Sequence, residues 1–152
     1  MIDSFKGKYA FLSNFHPSPF NVDNRTFKTV EHLFQACKVN TLAEFEAIAK
    51  ANTAAEAKKL GRKFSIRPDW EDVKVFVMAQ GIWAKFSQNQ DLRRLLLKTG
   101  NEPLEEGNYW HDNIWGNCRC DKCKDKPGKN ALGLLLMSVR TTFHITNMFK
   151  ND

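Results

Sequence analysis

The sequence predicts a predominantly helical α+β fold, a compact single domain of residues 1–152 with short strands near its N-terminus. A chain of this length is the size of one ordinary domain. Up to about Phe27, aromatic residues alternate with Asn and Pro, which is typical of short strands and turns. Beyond that point apolar residues recur at helical spacing. The first such set is Val30, Leu33, Phe34 and Cys37.

Two short helices are expected after this first one. Thr41 with Glu44, and Thr53 with Glu56, have capping-box spacing, in which a hydroxyl and a carboxylate satisfy amides left free at a helix start. Gly61 predicts the end of the second short helix, because glycine commonly terminates helices.

Two further helices precede a long loop and a final helix. Pro68-Asp69 predicts the start of a long helix, and another helix covers about Gln90 to Lys98. Residues 100–127 lack sustained periodicity, so an ordered loop is expected there, and loops often carry function. Asn130 is the candidate cap of the final helix. Its apolar face consists of Leu132, Leu135, Leu136, Val139 and Phe143.

Composition indicates a folded protein and gives little guidance on ligands. The formal charge of +6 suits an acidic partner, but the 23 Lys and Arg residues are scattered and more typical of solvated faces. The opening residues lack the pattern of a signal peptide, and no long uncharged apolar run indicates a membrane span. Three closely spaced cysteines do not resemble a disulfide framework. We therefore expect a cytoplasmic protein with no membrane partner.

The first helix carries a second, polar face. Glu31, Gln35 and Lys38 are spaced so that a carboxylate, an amide and an amine line up along about 10 Å of helix. Such a face can border one sugar-sized ligand. An exposed face that keeps the helix soluble is the alternative, and spacing alone favours it.

Residues 105–116 concentrate acids, aromatics and a histidine in twelve positions. Carboxylates such as Asp112 can stabilise an oxocarbenium ion or activate water, and Trp115 can stack on a flat heterocycle. Equally, the tryptophans can fill the core and the acids can cap turns. The residues alone do not decide between these interpretations.

Cys118, Cys120 and Cys123 have the C-x-C-x-x-C spacing of a metal-binding loop. Three thiolates hold a zinc ion when a fourth ligand joins them, for which His111, Asp112 and Cys37 are candidates. Three reduced thiols in a tight loop remain the alternative. Walker, dinucleotide-binding, HExxH and GxSxG motifs do not occur in the sequence, which disfavours those enzyme classes.

Taken in order, several segments resemble the YbiA-like family, also called NADAR. The resemblance extends from about Phe5 to Arg140, and the order of so many segments makes coincidence a poor explanation. The segments are Phe11–Phe15, Glu31–Lys38, Gly61-Arg62, Arg67–Trp70 with Lys74 and Val77-Met78, Lys85–Asn89, Leu104 with Glu106, Asp112 with Trp115-Gly116, and Gly128–Asn130 with Leu132-Gly133 and Leu136-Met137.

The resemblance implies a helix-rich α+β domain with N-glycosidase activity, a hydrolase acting on N-glycosyl bonds. Members act on phosphorylated riboflavin-biosynthesis intermediates or remove ADP-ribose from modified guanine, so modified nucleic acid is one expected substrate. Both reactions detach a ribosyl carbon from a ring or base nitrogen. The family implies no required metal or organic cofactor, and the Cys118–Cys123 loop replaces a Gly-rich stretch of some relatives. A structural zinc ion in that loop is therefore an open alternative.

The resemblance also implies site residues. Glu31, Lys38 and Asp112 are expected to be catalytic: Glu31 exchanges a proton, Asp112 stabilises the sugar cation, and Lys38 forms a Schiff base with the opened sugar. Direct attack by water is the rival to the lysine route. The expected substrate-binding residues are Asn14, Arg62, Trp70, Trp115 and Lys129.

Two other functions compete with this prediction. One is a non-catalytic sensor of ADP-ribose or nucleotides, which needs the binding residues but no turnover. The other is a nucleic-acid-binding module built from the net charge and a zinc knuckle with aromatic neighbours. A sensor without turnover would have no obvious use for Glu31 and Asp112. Salt-sensitive binding to plain DNA or RNA would identify the nucleic-acid-binding module.

Overall fold

A computed structural model describes residues 1–150, and it agrees with the predicted fold class: 53% of the chain is helical, with a few short strands. A 3₁₀ helix at Gly7–Leu12 precedes the regular elements. In chain order these are β1 (Phe20–Val22), β2 (Arg25–Phe27), α1 (Val30–Cys37), α2 (Leu42–Ala49), α3 (Ala54–Lys63), α4 (Trp70–Gln88), α5 (Gln90–Lys98), β3 (Gly107–Asn108), β4 (Asn117–Cys118) and α6 (Ala131–Lys150).

The backbone contacts divide the chain into two units. The continuous unit comprises Asn14–Leu92, and the discontinuous unit comprises Met1–Ser13 together with the chain from Arg93 onward. The prediction of a single domain stays a prediction. None of the helices in residues 1–150 is long and apolar enough to cross a membrane.

A tight hairpin opens the continuous unit. β1 and β2 pair antiparallel, with Phe20 opposite Phe27, and these two buried rings stack with centroids 6.0 Å apart. The turn residues Asp23 and Asn24 both have positive φ, at 52° and 66°. Two consecutive residues with positive φ are characteristic of a two-residue hairpin turn whose twist matches that of its strands. After glycine, Asp and Asn are the residues that adopt this left-handed conformation most readily.

Threonine caps begin the next three helices, and the sequence predicts the second and third of these caps. The hydroxyls of Thr29, Thr41 and Thr53 each accept a hydrogen bond from the backbone amide three residues later. The predicted stop at Gly61 is wrong, because α3 continues to Lys63. Glycine is needed at that position for a packing reason given below.

The core of the continuous unit lies between α1 and α4. Met78, Ile82 and Phe86 recur at helical spacing on α4 and are buried. Gly81 is where the helices approach, since a Cβ at that position would lie 3.0 Å from Val30 Cγ1 and 3.2 Å from Leu33 Cδ2. On another side of α1, the Gln35 side chain lies against Gly61 of α3.

The discontinuous unit contains the predicted ordered loop. Within it, β3 and β4 form a two-residue parallel ladder. Asn130 precedes α6 as expected, but its side chain does not cap the helix: Oδ1 accepts from the Glu106 amide at 3.1 Å and Nδ2 donates to the Leu104 carbonyl at 2.9 Å. The buried side chains of this unit include Ile2, Leu12, Leu104, Leu132, Leu136 and Phe143.

Candidate active site

The polar face of α1 forms a short chain of hydrogen bonds. Gln35 Nε2 donates to Glu31 Oε1 at 2.8 Å, and Lys38 Nζ donates to Gln35 Oε1 at 3.3 Å. Glu31 is only 7% exposed and Gln35 5%, so the solvated-face alternative is wrong for these two residues. Lys38 is half-buried at the C-terminal end of the same helix. The sequence spacing therefore corresponds to a connected polar site.

The electrostatics of this site are set by burial and by nearby cations. Burial raises the pKa of the Glu31 carboxyl above its usual value, while the Gln35 amide and the charges of Lys58, Lys38 and Arg62 act in the opposite direction. Burial also lowers the pKa of the Lys38 amine; the Glu31 charge opposes this shift, and Arg62 and Lys58 reinforce it. Both shifts favour the neutral forms that an acid and an amine nucleophile need.

Gly61 makes room for the hydrogen-bonded chain. A Cβ at Gly61 would fall on the Gln35 amide oxygen, the atom that accepts from Lys38. α3 therefore contributes a gap as well as the cations Lys58 and Arg62. The positions recur every three to four residues on α3, which puts Lys58, Gly61 and Arg62 on one face.

The two other predicted site residues of the continuous unit have structural contacts. The Asn14 carbonyl accepts from the Glu31 amide at 3.1 Å, and its side-chain amide donates to Met78 Sδ at 3.4 Å. Trp70 is 5% exposed and packs edge-on against Phe34 with centroids 4.9 Å apart. Packing alone accounts for the burial of Trp70, while the Asn14 carbonyl helps to fix the start of α1.

In the discontinuous unit, Asp112 organises the loop that carries Trp115. Its Oδ1 accepts from the backbone amides of Ile114 at 3.1 Å and Trp115 at 2.9 Å. The buried Asn108 side chain holds Asp112 in turn, donating to its carbonyl at 2.8 Å and accepting from its amide at 3.2 Å. Asp112 is thus half-buried and anchored from both sides.

The same loop docks on the start of α6. The carbonyls of Ile114, Trp115 and Gly116 accept hydrogen bonds from the amides of residues 131, 132 and 130 respectively. These amides would otherwise lack partners at the helix start. Trp115 is half-buried, and Lys129 is exposed with its backbone amide bonded to the Asn113 carbonyl.

The three cysteines of the loop gather around His111. One ligand atom from each of His111, Cys118, Cys120 and Cys123 lies within 4.8 Å of all the others, an arrangement that can hold a metal ion. The sequence offers three candidates for the fourth ligand, and the structure brings His111 to the cysteines. Asp112 uses its Oδ1 in the turn, and Cys37 lies on α1 in the continuous unit.

Within each unit the structure brings predicted residues together. Glu31, Lys38 and Arg62 share one electrostatic environment, and Asp112 and Trp115 share one turn. The predicted set omits Gln35 and Lys58. Helical spacing places Gln35 on the Glu31 face, whereas nothing in the sequence distinguishes Lys58 from other surface lysines.

Comparison with known proteins decides the family. The sequence model of the NADAR domain family matches residues 3–144, nearly the whole chain. The chain belongs to the NADAR family. A NADAR relative, N-glycosidase YbiA of Escherichia coli (strain K12), is 40% identical over 134 residues, which cover 87% of this chain and 80% of that protein. The NMR structure of E. coli YbiA matches with a TM-score of 0.81 at 36% identity, covering 97% of this chain and 89% of that one.

In a second relative, the matching region is only part of a longer protein. A riboflavin biosynthesis protein of Vibrio vulnificus is 36% identical over 134 residues, 87% of this chain but 35% of its own length. The family resemblance stated from sequence motifs, and the YbiA-like fold it implies, are therefore confirmed.

Proposed function

We propose that this protein is a hydrolase that cleaves the N-glycosyl bond between a phosphorylated ribosyl group and a nitrogen heterocycle. The observation that carries the proposal is the buried Glu31 carboxyl, bonded to Gln35 and surrounded by Lys38, Lys58 and Arg62. The names of its relatives, N-glycosidase YbiA and a riboflavin biosynthesis protein, support the same chemistry.

Glu31 supplies the proton in the proposed reaction. Breaking the bond leaves both electrons on the heterocycle nitrogen and positive charge on the anomeric carbon of the sugar. A carboxyl with a raised pKa keeps a proton near neutral pH and transfers it to the leaving nitrogen. In the direct route, water adds its oxygen to the anomeric carbon and gives a proton to the Glu31 carboxylate; in the lysine route, water enters later, when it releases the sugar from Lys38.

The basic residues near Glu31 suit a phosphorylated sugar. Arg62 presents a planar fork of donors to phosphate oxygens, and Lys58 adds a second charge from the same helix face. Asn14 and Trp70 complete the proposed binding set of the continuous unit. Lys38 is assigned the second catalytic role, as the nucleophile of a Schiff-base route or as a cation that orients the sugar.

In the discontinuous unit, Asp112 and Trp115 are assigned linked roles. Trp115 stacks on the heterocycle, and the Asp112 carboxylate both shapes the turn and supplies negative charge for the sugar cation. Lys129, exposed beside this turn, is assigned to phosphate. The reaction as proposed needs no metal or organic cofactor. The expected cytoplasmic location remains a prediction.

A substrate panel tests the proposal. Phosphoribosyl flavin precursors, ADP-ribosylated guanine in nucleic acid and free ADP-ribosyl nucleotides are incubated with the protein, and products are identified by mass spectrometry. Release of free base or of a ribose phosphate from the first class is the expected result. Binding without release would indicate the nucleotide sensor, and salt-sensitive binding to plain DNA or RNA without turnover would indicate the nucleic-acid module; either result overturns the proposal.

Glu31→Gln provides the matched chemical test. It should lower turnover by ~10²- to 10⁴-fold, the usual contribution of a general acid, without changing the melting temperature by more than a few degrees. Glu71→Gln is the control, because Glu71 is exposed and forms an ion pair with Lys74 on its own helix. Asp112→Asn keeps an oxygen to accept from the Trp115 amide but removes the charge, so its turnover measures the charge alone. Losses under about threefold in both Glu31→Gln and Asp112→Asn would remove the assignment.

A further inference from the structure

The cluster of His111, Cys118, Cys120 and Cys123 has the dimensions of a tetrahedral zinc site. His111 Nδ1 lies 3.4 Å from Cys120 Sγ and 3.4 Å from Cys123 Sγ. In a tetrahedron with ordinary zinc–sulfur and zinc–nitrogen bond lengths, ligand nitrogen and sulfur atoms are about 3.5 Å apart. We propose that these four residues bind a structural zinc ion, which can be measured independently of the proposed glycosidase activity.

The backbone around the cluster is shaped to bring the four groups together. His111 has φ of 68°, in the left-handed region that a non-glycine residue occupies at a cost. The Cys118 amide donates to Asn113 Oδ1 at 2.9 Å, and the Cys120 carbonyl accepts from the Cys123 amide at 3.0 Å. A loop that only needed three reduced thiols would not require the histidine in this strained position.

A backbone donor also lies beside one of the four ligand atoms. The His111 amide points at Cys118 Sγ at a distance of 3.3 Å. A neutral thiol is a weak acceptor, whereas a zinc-bound thiolate is a charged one. Three thiolates with Zn²⁺ and a neutral imidazole carry a net charge of −1, and the segment 121–126, with three lysines and two aspartates, carries a net charge of +1.

The ion would fasten the loop that carries Asp112 and Trp115. Its ligands His111 and Cys118 flank this segment directly, so the metal closes an eight-residue loop from 111 to 118. Closing a short loop removes conformational freedom in the same way as a covalent cross-link. Four protein ligands leave no open coordination position, which is the pattern of structural rather than catalytic zinc.

Metal analysis and zinc competition test the site directly. The full chain, purified without chelator, should contain one zinc ion per molecule by elemental analysis. Co²⁺ exchanged into the site should give the visible absorption of a tetrahedral thiolate complex. Cys37→Ser is the matched control, because Cys37 is the cysteine outside the cluster and its loss should leave zinc content unchanged.

His111→Asn and Cys120→Ser probe the ligands. Asparagine tolerates the left-handed backbone of His111, so this variant removes the imidazole without adding strain. Each should weaken zinc binding by at least ~10-fold in competition with a chromophoric chelator. His111→Cys, which restores a fourth ligand, should recover binding.

Three outcomes would overturn the proposal. They are folded protein free of metal that does not take up zinc, a mass two units below the reduced chain that reveals a disulfide among the three cysteines, and full zinc binding in both His111→Asn and Cys120→Ser. Each is measured without recourse to enzyme activity.

Discussion

The Gln35 side-chain amide determines how Glu31 and Lys38 share one face of α1. Its nitrogen donates to Glu31 and its oxygen accepts from Lys38, so its orientation is fixed from both sides. Without it, carboxylate and amine would be free to form a direct ion pair, which favours the charged forms of both. The intervening amide therefore keeps an acid and an amine close together without neutralising their reactivity.

Lys38 is predicted to trap the sugar during turnover. Burial lowers the pKa of its amine, so a larger neutral fraction is available to attack the anomeric carbon as the pH rises. Borohydride added during turnover should leave a sugar adduct on Lys38, located by peptide mass spectrometry. The exposed Lys59 serves as the internal control and should remain unmodified. If no adduct forms and Lys38→Met keeps near-normal turnover, water attacks directly.

At the scale of elements, the site depends on how closely α3 approaches α1. Gly61→Ala should change the free energy of unfolding by no more than about 1 kcal/mol, because the higher helix propensity of alanine offsets part of the cost of displacing the buried Gln35 amide from its hydrogen bonds. Turnover should nevertheless fall at least ~10-fold, because Gln35 loses the place from which it contacts Glu31 and Lys38. Steady-state kinetics with thermal unfolding measures both.

Gly81→Ala is the contrasting variant. Its Cβ meets Val30 and Leu33 in the core between α1 and α4, so it should lower the free energy of unfolding by roughly 1–3 kcal/mol and change turnover little. If Gly61→Ala loses stability and activity in parallel, as a packing defect would, the role given to the gap at Gly61 is wrong.

Local sequence signals predict the helix starts well because capping is a local interaction. The predicted caps Thr41 and Thr53 each satisfy an amide three residues away. Gly61 does not end its helix. Glycine is needed at this position because the Gln35 side chain of another helix packs against it, and such a tertiary contact leaves no local signal in the sequence. Asn130 likewise faces the Leu104–Glu106 segment. The contribution of Lys58 depends on how α3 packs against α1, which spacing along the chain does not encode. The sequence offers His111 as one of three candidate fourth ligands, and the fold of the loop selects it.

At the scale of the whole molecule, a buried lysine makes the free energy of unfolding change with pH between about 7 and 10.5. Lys85 is 1% exposed, and burial lowers the pKa of its amine from 10.5 to about 7. The unfolded chain then binds the proton more tightly than the folded one. The resulting penalty is full below pH 7, declines as the pH rises towards 10.5, and is absent above it.

Lys85→Met should therefore be more stable than the parent protein at pH 7, and the difference should shrink as the pH approaches 10. Methionine fills similar volume without a charge to bury. Urea unfolding between pH 7 and about pH 10 measures the difference in free energy of unfolding between the two proteins. Lys98→Met is the control, because Lys98 is exposed. A difference that does not change with pH would show that Lys85 does not titrate as described.

The discontinuous unit also has a consequence for the order in which the chain folds during synthesis. Ile2 exchanges backbone hydrogen bonds with Pro103 and Glu105, so these contacts must wait until about a hundred residues have been made. The contacts of the continuous unit lie within Asn14–Leu92 and can form earlier on the ribosome. The residues assigned to proton transfer are therefore translated, and free to assemble, before the cysteine loop has left the exit tunnel.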